Sequence, residues 1–366
     1  LETLDTMGFL DYFIIVQEYV NWAKKAGIGV GPSRGSACGS LLAYLMNITE
    51  IDPMDKGMLF ERFINPERIS VPDIDVDFED QRRSEVLEHV KEVYGADHVC
   101  NILILNYMKS RAAFKDVARV NKLDFNRSNQ ISSMIEQSTM ANKVTLQDSL
   151  NNVPELQAIV NSDPQIAEIF RVATELEGKP RQHGVHACGV LITPVPLVDL
   201  IPLEIDKDGN LVSQFPPEDL EEIGLIKFDF LGLSTISVIA NALRYIPELG
   251  NMYDIPQDDP VTYDTFCRGE SYFTFQFNTA LSRQTCVAMQ PRSVMELSDV
   301  TAMARPGPMA NIPVYARRKR GEEKVTYHNK IEEKWFNRTY GVNCYQEQGM
   351  QYLREAADFT RGEADT

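Results

Sequence analysis

The sequence predicts an α+β fold in which a catalytic domain is interrupted by a helical subdomain. Three observations lead there. Val71 to Phe78 alternates apolar and acidic residues, as a strand does. Val190 to Ile192 and Leu225 to Phe230 read as two further strands. Between the first strand and these two, residues 107 to 184 carry largely helical periodicity with polar connections.

The elements follow in order. Residues 9 to 26 form an amphipathic helix, with Phe13, Val16, Tyr19, Val20 and Ala23 at helical spacing. A short apolar segment, Ile28 to Val30, leads into the loop Gly31-Pro32-Ser33-Arg34-Gly35-Ser36, and a helix is expected from about Ala37 to Met46. Residues 82 to 94 read as a helix with Val86, Leu87, Val90 and Val93 turned inward. Asn101 to Leu105 reads as a buried strand. The chain beyond the third strand is mixed, with several helices, and no internal repeat or low-complexity linker is present.

Composition sets outer bounds. The chain has 366 residues, 43% of them hydrophobic and 24% charged, enough for two or three packed domains. No apolar run reaches the roughly 18 residues needed to cross a bilayer. No signal peptide is visible, and the chain starts at Leu1 rather than Met, as an excised piece would. Its six cysteines are scattered with no C-x-x-C pair, the pattern of reduced thiols in a cytoplasmic protein. A net charge of -17 argues against a simple nucleic-acid coat, which would neutralise phosphates with many basic residues. An enzyme that grips nucleic acid through local patches remains allowed.

The main chemical signal is Pro72-Asp73-Ile74-Asp75-Val76-Asp77-Phe78. On a strand Asp73, Asp75 and Asp77 share one face, with Ile74 and Val76 on the other. Like charges in a row repel unless cations hold them, and hard oxygen ligands suit Mg²⁺. Ile226-Lys227-Phe228-Asp229-Phe230 supplies a second strand, with Lys227 and Asp229 on one face. Three carboxylates from two strands could hold two Mg²⁺ ions for in-line phosphoryl or nucleotidyl transfer. A single D-x-D is also compatible with an exposed polar face, and the carboxylates alone do not separate polymerase from nuclease or phosphatase.

The loop Gly29-x-Gly31-Pro32-x-Arg34-Gly35-Ser36 stands between a short strand and a helix. Backbone N–H groups at a helix start form an anion site, and the Ser36 hydroxyl can add a donor. It is neither a Walker A motif nor a clean G-x-G-x-x-G, so a mere tight turn is an equal reading. Arg111, Lys115 and Arg119 fall at i, i+4 and i+8 of an expected helix, flanked by Lys109 and Lys122, as a stripe that could follow a phosphodiester backbone or be a solvated face. Arg317 to Arg320 reads as a solvated basic turn. Arg62 and Arg68 lie just before the aspartates, within reach of a triphosphate, and Arg305 sits at the rigid turn Ala304-Arg305-Pro306-Gly307-Pro308. His183-Gly184-Val185-His186 could share a metal only on a helix that Gly184 weakens, so a structural role is expected there.

Taken in order, GPSRGSACGSLLAY, ITEIDPMDKGMLFERFINPERISVPDIDVDF, SRAAFKDVARV, HGVHACGVLI, GLIKFDFLGLSTISVI, ARPGPM and YQEQGMQ resemble the alpha subunits of bacterial DNA polymerase III, the C-family replicative polymerases. The resemblance spans nearly the whole chain. The Leu-Phe-Glu-Arg-Phe and Tyr-Gln-Glu-Gln forms look more like the common bacterial alpha subunit than the type that carries a zinc motif.

The resemblance implies a polymerase-beta-like nucleotidyltransferase palm with a mixed sheet at 1–106 and 185–234, a helical thumb at 107–184, and truncated, mainly helical fingers at 235–366. It implies that Asp73, Asp75 and Asp229 bind two catalytic Mg²⁺ ions, with Asp77 in support. Arg34, Gly35, Ser36, Arg62, Lys227 and Arg305 would face the nucleotide, and Arg111, Lys115 and Arg119 the duplex. The implied partners are primer-template DNA, dNTPs, a sliding clamp, a proofreading exonuclease and a clamp loader, in the cytoplasm and without a membrane. Three features depart from the family. The family usually begins with a phosphoesterase-like domain and none is seen in this sequence, the sequence stops at Arg361 to Thr366 where an Arg-rich segment is expected, and Cys38 and Cys188 stand where small residues are usual. Those cysteines suggest a divergent, viral or environmental relative. Two other readings stay open: a metal-dependent nuclease or phosphoesterase, which needs ligation beyond H-x-x-H, and an inactive scaffold, which would be supported by loss of a carboxylate.

Overall fold

The computed structural model describes the chain apart from residues 66, 68–70, 139–142 and 250–251; Arg68 therefore lies outside the described residues. It divides into two compact units. One comprises Leu1–Val99, Cys188–Pro194 and Ile226–Thr366, the other Cys100–Ala187 and Val195–Leu225. The α+β class expected from the sequence holds. The strands are β1 (Val76–Glu79), β2 (Val99–Tyr107), β3 (Pro180–Ile192), β4 (Leu203–Ile205), β5 (Leu211–Ser213) and β6 (Lys227–Leu233). Their hydrogen-bonded order is β1-β6-β3-β2-β5-β4, with β3 running through both units.

In the first unit, β1 runs parallel to β6 with Val76 level with Phe230. The C-terminal part of β3 runs antiparallel to β6, Gly189 opposite Asp229. Helix Leu10–Lys25 lays Phe13, Val16, Tyr19 and Val20, all fully buried, on this sheet. The Tyr19 ring stands 4.5 Å from Phe230, whose ring lies 5.8 Å from Phe78. Each such aromatic contributes about 1.5–3 kcal/mol by burial, and this cluster sets the register of the acidic strand. Helix Arg83–Tyr94 adds Val86 and Val90 to the same core. Val93, expected to point inward, is 49% exposed; in the last turn it is Tyr94, four residues beyond Val90, that packs against the core cluster.

Two expectations near the glycine loop change. The helix expected from Ala37 to Met46 is broken into a 3-10 turn, Gly35–Gly39, and a short helix, Leu41–Leu45. Ser40 causes the restart by accepting from the Ala43 N–H at 3.2 Å. The Leu59 carbonyl oxygen lies 2.6 Å from where a Gly39 Cβ would stand, so the backbones meet where only glycine fits. The acidic run forms ladder bonds only from Val76 onward. Burial still alternates ahead of it, with Ile74 and Val76 buried and Asp73 exposed. Asp73 and Asp75 thus stand at the open end of β1.

In the second unit, helices Ser110–Val120, Phe125–Met134, Leu146–Asn152, Pro154–Ser162 and Pro164–Leu176 pack around Phe114, Ile131, Leu156, Ile166 and Phe170. Asp124, Thr145 and Asp163 cap three of them, each accepting from backbone N–H groups of the first turn. The helical stretch expected to 184 ends at Leu176, and β3 takes over at Pro180. The strand expected to be buried at Asn101 to Leu105 is half so: Ile102 and Leu103 are buried, whereas Ile104 is 38% exposed.

Residues beyond β6 are mainly helical, around Phe266, Cys286, Met289, Val300, Met303 and Tyr315. At the centre Asp299, fully buried, accepts two bonds from Arg338 at 3.0 and 2.9 Å. The hydroxyls of Tyr315 and Tyr345 also donate to it, at 2.8 and 2.7 Å. The basic run is less solvated than its sequence suggests: Arg317 and Arg318 pair with Glu323, Lys319 with Glu296 and Arg320 with Glu322. All six cysteines are free thiols. Among the described residues, no helix is long and apolar enough to cross a membrane.

Candidate active site

The fold brings Asp73, Asp75 and Asp229 together. One carboxylate oxygen from each lies within 4.8 Å of the others, and among the described residues this is the one group of three or more such ligands. β1 and its extended lead-in supply Asp73 and Asp75, and β6 supplies Asp229 one residue before the level of Val76. Ile74, between the two aspartates, is buried and donates its N–H to the Tyr12 hydroxyl at 2.9 Å. That bond anchors the segment on helix Leu10–Lys25. Sequence reasoning did not single out Tyr12, because nothing local links it to a strand 62 residues away.

At an effective dielectric of about 20, two carboxylates at such a separation repel by roughly 3 kcal/mol. The pKa pattern shows the consequence. Burial, then the charges of Asp73 and Asp229, push Asp75 up to about 6, against the pull of Arg34. Although Asp73 is exposed as a residue, partial desolvation of its carboxyl group raises it too, opposed by Lys227 and aided by the charge of Asp229. Burial works against the Lys227 ammonium, but its bond to Asp229, with Asp73 and Asp75 nearby, raises its pKa overall. Asp229 is 5% exposed: its Oδ2 takes Lys227, and its Oδ1 is buried without a hydrogen-bond partner among the described residues. A buried orphan carboxylate oxygen beside two other carboxylates is a donor set that fits a hard divalent cation.

The expected phosphate-facing cations are close to acids. Arg34 bonds Asp77 at 2.9 Å and lies 3.8 Å from Asp75. Lys227 holds Asp229, and Arg62 holds Glu347. Gly35 and Ser36 open a 3-10 turn of only five residues, so the helix-dipole argument for that loop does not carry over; donors there act singly. Gly35 takes φ +62°, which glycine tolerates. Arg305 is exposed, with no ion pair among the described residues, and no contact links it to the carboxylates.

In the second unit the basic stripe is incomplete. Arg111 turns inward and donates to the carbonyls of Ile135, at 2.8 and 2.6 Å, and Ser133, at 3.2 Å. Those are orphan carbonyls at the end of helix Phe125–Met134, and satisfying them outweighs solvent exposure. Lys115 and Arg119 remain exposed. His183 and His186 lie on β3, not on a helix, so residues three apart point to opposite faces and cannot share a metal. His183 sits 3.4 Å from Glu204.

The titration of Asp75 makes a prediction. Because its folded pKa lies above the ordinary carboxylate value, the metal-free fold holds a proton the unfolded chain releases. Stability should therefore fall as pH rises from about 4 to about 6. Mg²⁺ affinity should weaken up to about tenfold per pH unit below 6, where the ion displaces that proton. Calorimetric titration with Mg²⁺ and thermal melts across pH 4–7.5 check both; equal slopes for the unsubstituted chain and Asp75→Asn would refute the assignment.

A mixed sheet that offers three convergent carboxylates, with cations at its margin, defines the class: a candidate metal-dependent phosphoryl- or nucleotidyl-transfer centre. Comparison with known proteins makes it particular. The family model described as the bacterial DNA polymerase III alpha NTPase domain matches residues 1–232, and that of the bacterial DNA polymerase III alpha subunit finger domain matches 235–366. The chain belongs to the bacterial DNA polymerase III alpha subunit family. It is 42% identical to DNA polymerase III subunit alpha of Thermus aquaticus, covering 100% of this chain and 31% of that protein. The same subunit of Aquifex aeolicus is 38% identical, over 100% of this chain and 34% of that protein. For Bacillus subtilis the figures are 36%, 100% and 33%. The chain thus spans about a third of the length of these curated relatives.

Proposed function

We propose that this chain is the polymerising core of a DNA-directed DNA polymerase that adds dNTPs to a primer 3′-hydroxyl in DNA replication, with Asp73, Asp75 and Asp229 holding two Mg²⁺ ions. The observation that carries the reading is the convergence of these carboxylates with Asp229 Oδ1 left unpartnered in a buried position. Asp73, Asp75 and Asp229 would hold the Mg²⁺ ions, whose chemistry there would be to lower the pKa of the primer hydroxyl and to neutralise the triphosphate and its pyrophosphate leaving group.

The chain's own residues divide the rest. The aspartates orient the ligand set, and Tyr12 keeps their backbone in place. Lys227 and Arg34 neutralise the carboxylates before ligands arrive and then turn to phosphate oxygens. Gly35, Ser36, Arg62 and Arg305 complete the nucleotide contacts. No side chain need act as nucleophile, because the primer supplies it. Base pairing selects the nucleotide.

In this reading residues 1–106 and 185–234 form a polymerase-beta-like palm, 107–184 the thumb and 235–366 the fingers. Among the described residues, the five helices between Ser110 and Leu176, together with the finger-domain match, support that division. Lys115 and Arg119 face the DNA backbone, with Arg111 stiffening the element that carries them. Primer-template DNA and dNTPs are the substrates. A sliding clamp, a proofreading exonuclease and a clamp loader are the expected partners, in the cytoplasm.

Primer extension decides it. A primed template with dNTPs and Mg²⁺ should be extended by this chain carried in a protein of its relatives' length, and Asp75→Ala should abolish extension. Folded, DNA-binding but inactive protein would move the reading to a scaffold, and undiminished extension by the variant would sink the site assignment.

A further inference from the structure

The segment Tyr345-Gln346-Glu347-Gln348 opens helix Gln346–Ala357, and its neighbours pin it tightly. The Tyr345 hydroxyl bonds Asp299 at 2.7 Å and Ser298 at 2.9 Å. The Gln348 amide oxygen accepts from the N–H groups of Cys344 and Tyr345, at 3.0 and 3.1 Å. Its amide nitrogen donates to the Trp335 carbonyl at 3.0 Å and to Thr339 at 2.9 Å. Glu347, held between these anchors, reaches to the 3-10 turn Phe60–Arg62 and takes Arg62 Nη1 on its Oε1.

Further bonds tie the same stretch to the chain's last residues. Arg361 pairs with Glu61 at 2.7 Å, Thr360 donates to Glu67 at 3.0 Å, and Asn65 donates to the Gly362 carbonyl at 3.1 Å. The Arg62–Glu347 pair also borders the glycine loop. The Cys38 thiol, which bonds the Gly35 carbonyl at 3.0 Å, feels the charges of both residues.

Among the described residues the contact on Arg62 is single: Nη1 is engaged, Nε and Nη2 have no partner there, and the side chain is 38% exposed. Arginine carries about 2 kcal/mol of rotamer entropy, and an anchor on one nitrogen removes much of it while leaving donors for a bidentate phosphate contact. We propose that Glu347 is a positioning residue for Arg62, holding its guanidinium so that the free Nε–H and Nη2–H edge meets the phosphates of an incoming nucleoside triphosphate. This rests on the nucleotide-site reading above.

The test is a double-mutant cycle on binding, without DNA or turnover. Calorimetry measures dGTP and, separately, inorganic tripolyphosphate, each with Mg²⁺, on the unsubstituted chain, Glu347→Ala, Arg62→Ala and the double variant. Positioning predicts about tenfold weaker binding of both ligands to Glu347→Ala, an equal or larger loss for Arg62→Ala, and no further loss in the double variant. Glu347→Gln, which keeps the acceptor oxygen, should recover part of the loss and replaces the alanine variant if that fails to melt cooperatively. Tighter binding without the carboxylate, or losses that add in the double variant, would overturn the inference and leave the nucleotide site standing. No binding of either ligand by the folded unsubstituted chain would bring down the nucleotide site itself, and this inference with it.

Discussion

Asp229→Asn should reduce Mg²⁺-dependent primer extension by about a thousandfold or more, some 4 kcal/mol of transition-state stabilisation, while the chain still folds. Asp229 is the most buried of the three carboxylates, and its Oδ1 has no hydrogen-bond partner among the described residues. An amide keeps the shape but cannot supply the second anionic oxygen. It also releases Lys227, whose bond to Asp229 is its one ion pair among the described residues. Removing one negative charge relieves repulsion with Asp73 and Asp75, so the metal-free variant should melt no lower than the parent. Calorimetric Mg²⁺ binding, extension assays and thermal melts separate these effects. Extension within tenfold of the parent would remove Asp229 from the site.

The largest effect on stability should come from Asp299→Ala, which is expected to destabilise the helical region beyond β6 by about 3–5 kcal/mol. The carboxylate is fully buried and takes four bonds, two from Arg338 and one each from Tyr315 and Tyr345. Its loss leaves a half-buried guanidinium and two tyrosine hydroxyls unpaired, and each unpaired group carries its own desolvation cost. Tyr345 caps the helix that presents Glu347, so that helix start should loosen as well. Chemical denaturation in a Trp22→Phe background, followed by the remaining Trp335, reports on this region. A shift below about 1 kcal/mol would show that the network is dispensable.

Three of the four expected phosphate-facing cations are paired with an acid in the ligand-free chain: Arg34 with Asp77, Lys227 with Asp229 and Arg62 with Glu347, while Arg305 has no ion pair among the described residues. In the proposed reading these three cations are pre-neutralised, so a divalent ion and a phosphate arriving together would exchange partners rather than meet bare charges.

The sequence by itself determined what depends on short spacing. The helix over residues 10 to 25 follows from a 3.6-residue period, and the shared face of Asp73, Asp75 and Asp77 from a period of 2; both are local geometries that any tertiary setting inherits. Ordered motifs along the chain carried the family, and with it the expectation that Asp229 joins two aspartates more than 150 residues earlier. Tertiary structure decided what depends on which backbones meet. The close approach of Leu59 at Gly39 and the cap at Ser40 break a helix that periodicity continues. Orphan carbonyls at Ser133 and Ile135 draw Arg111 inward from its stripe. Extended pairing puts His183 and His186 on a strand. The partner of Arg62 is 285 residues away, and no local rule names it. A charged side chain takes whichever opposite charge the fold brings within reach, and that choice is made only after distant segments have packed.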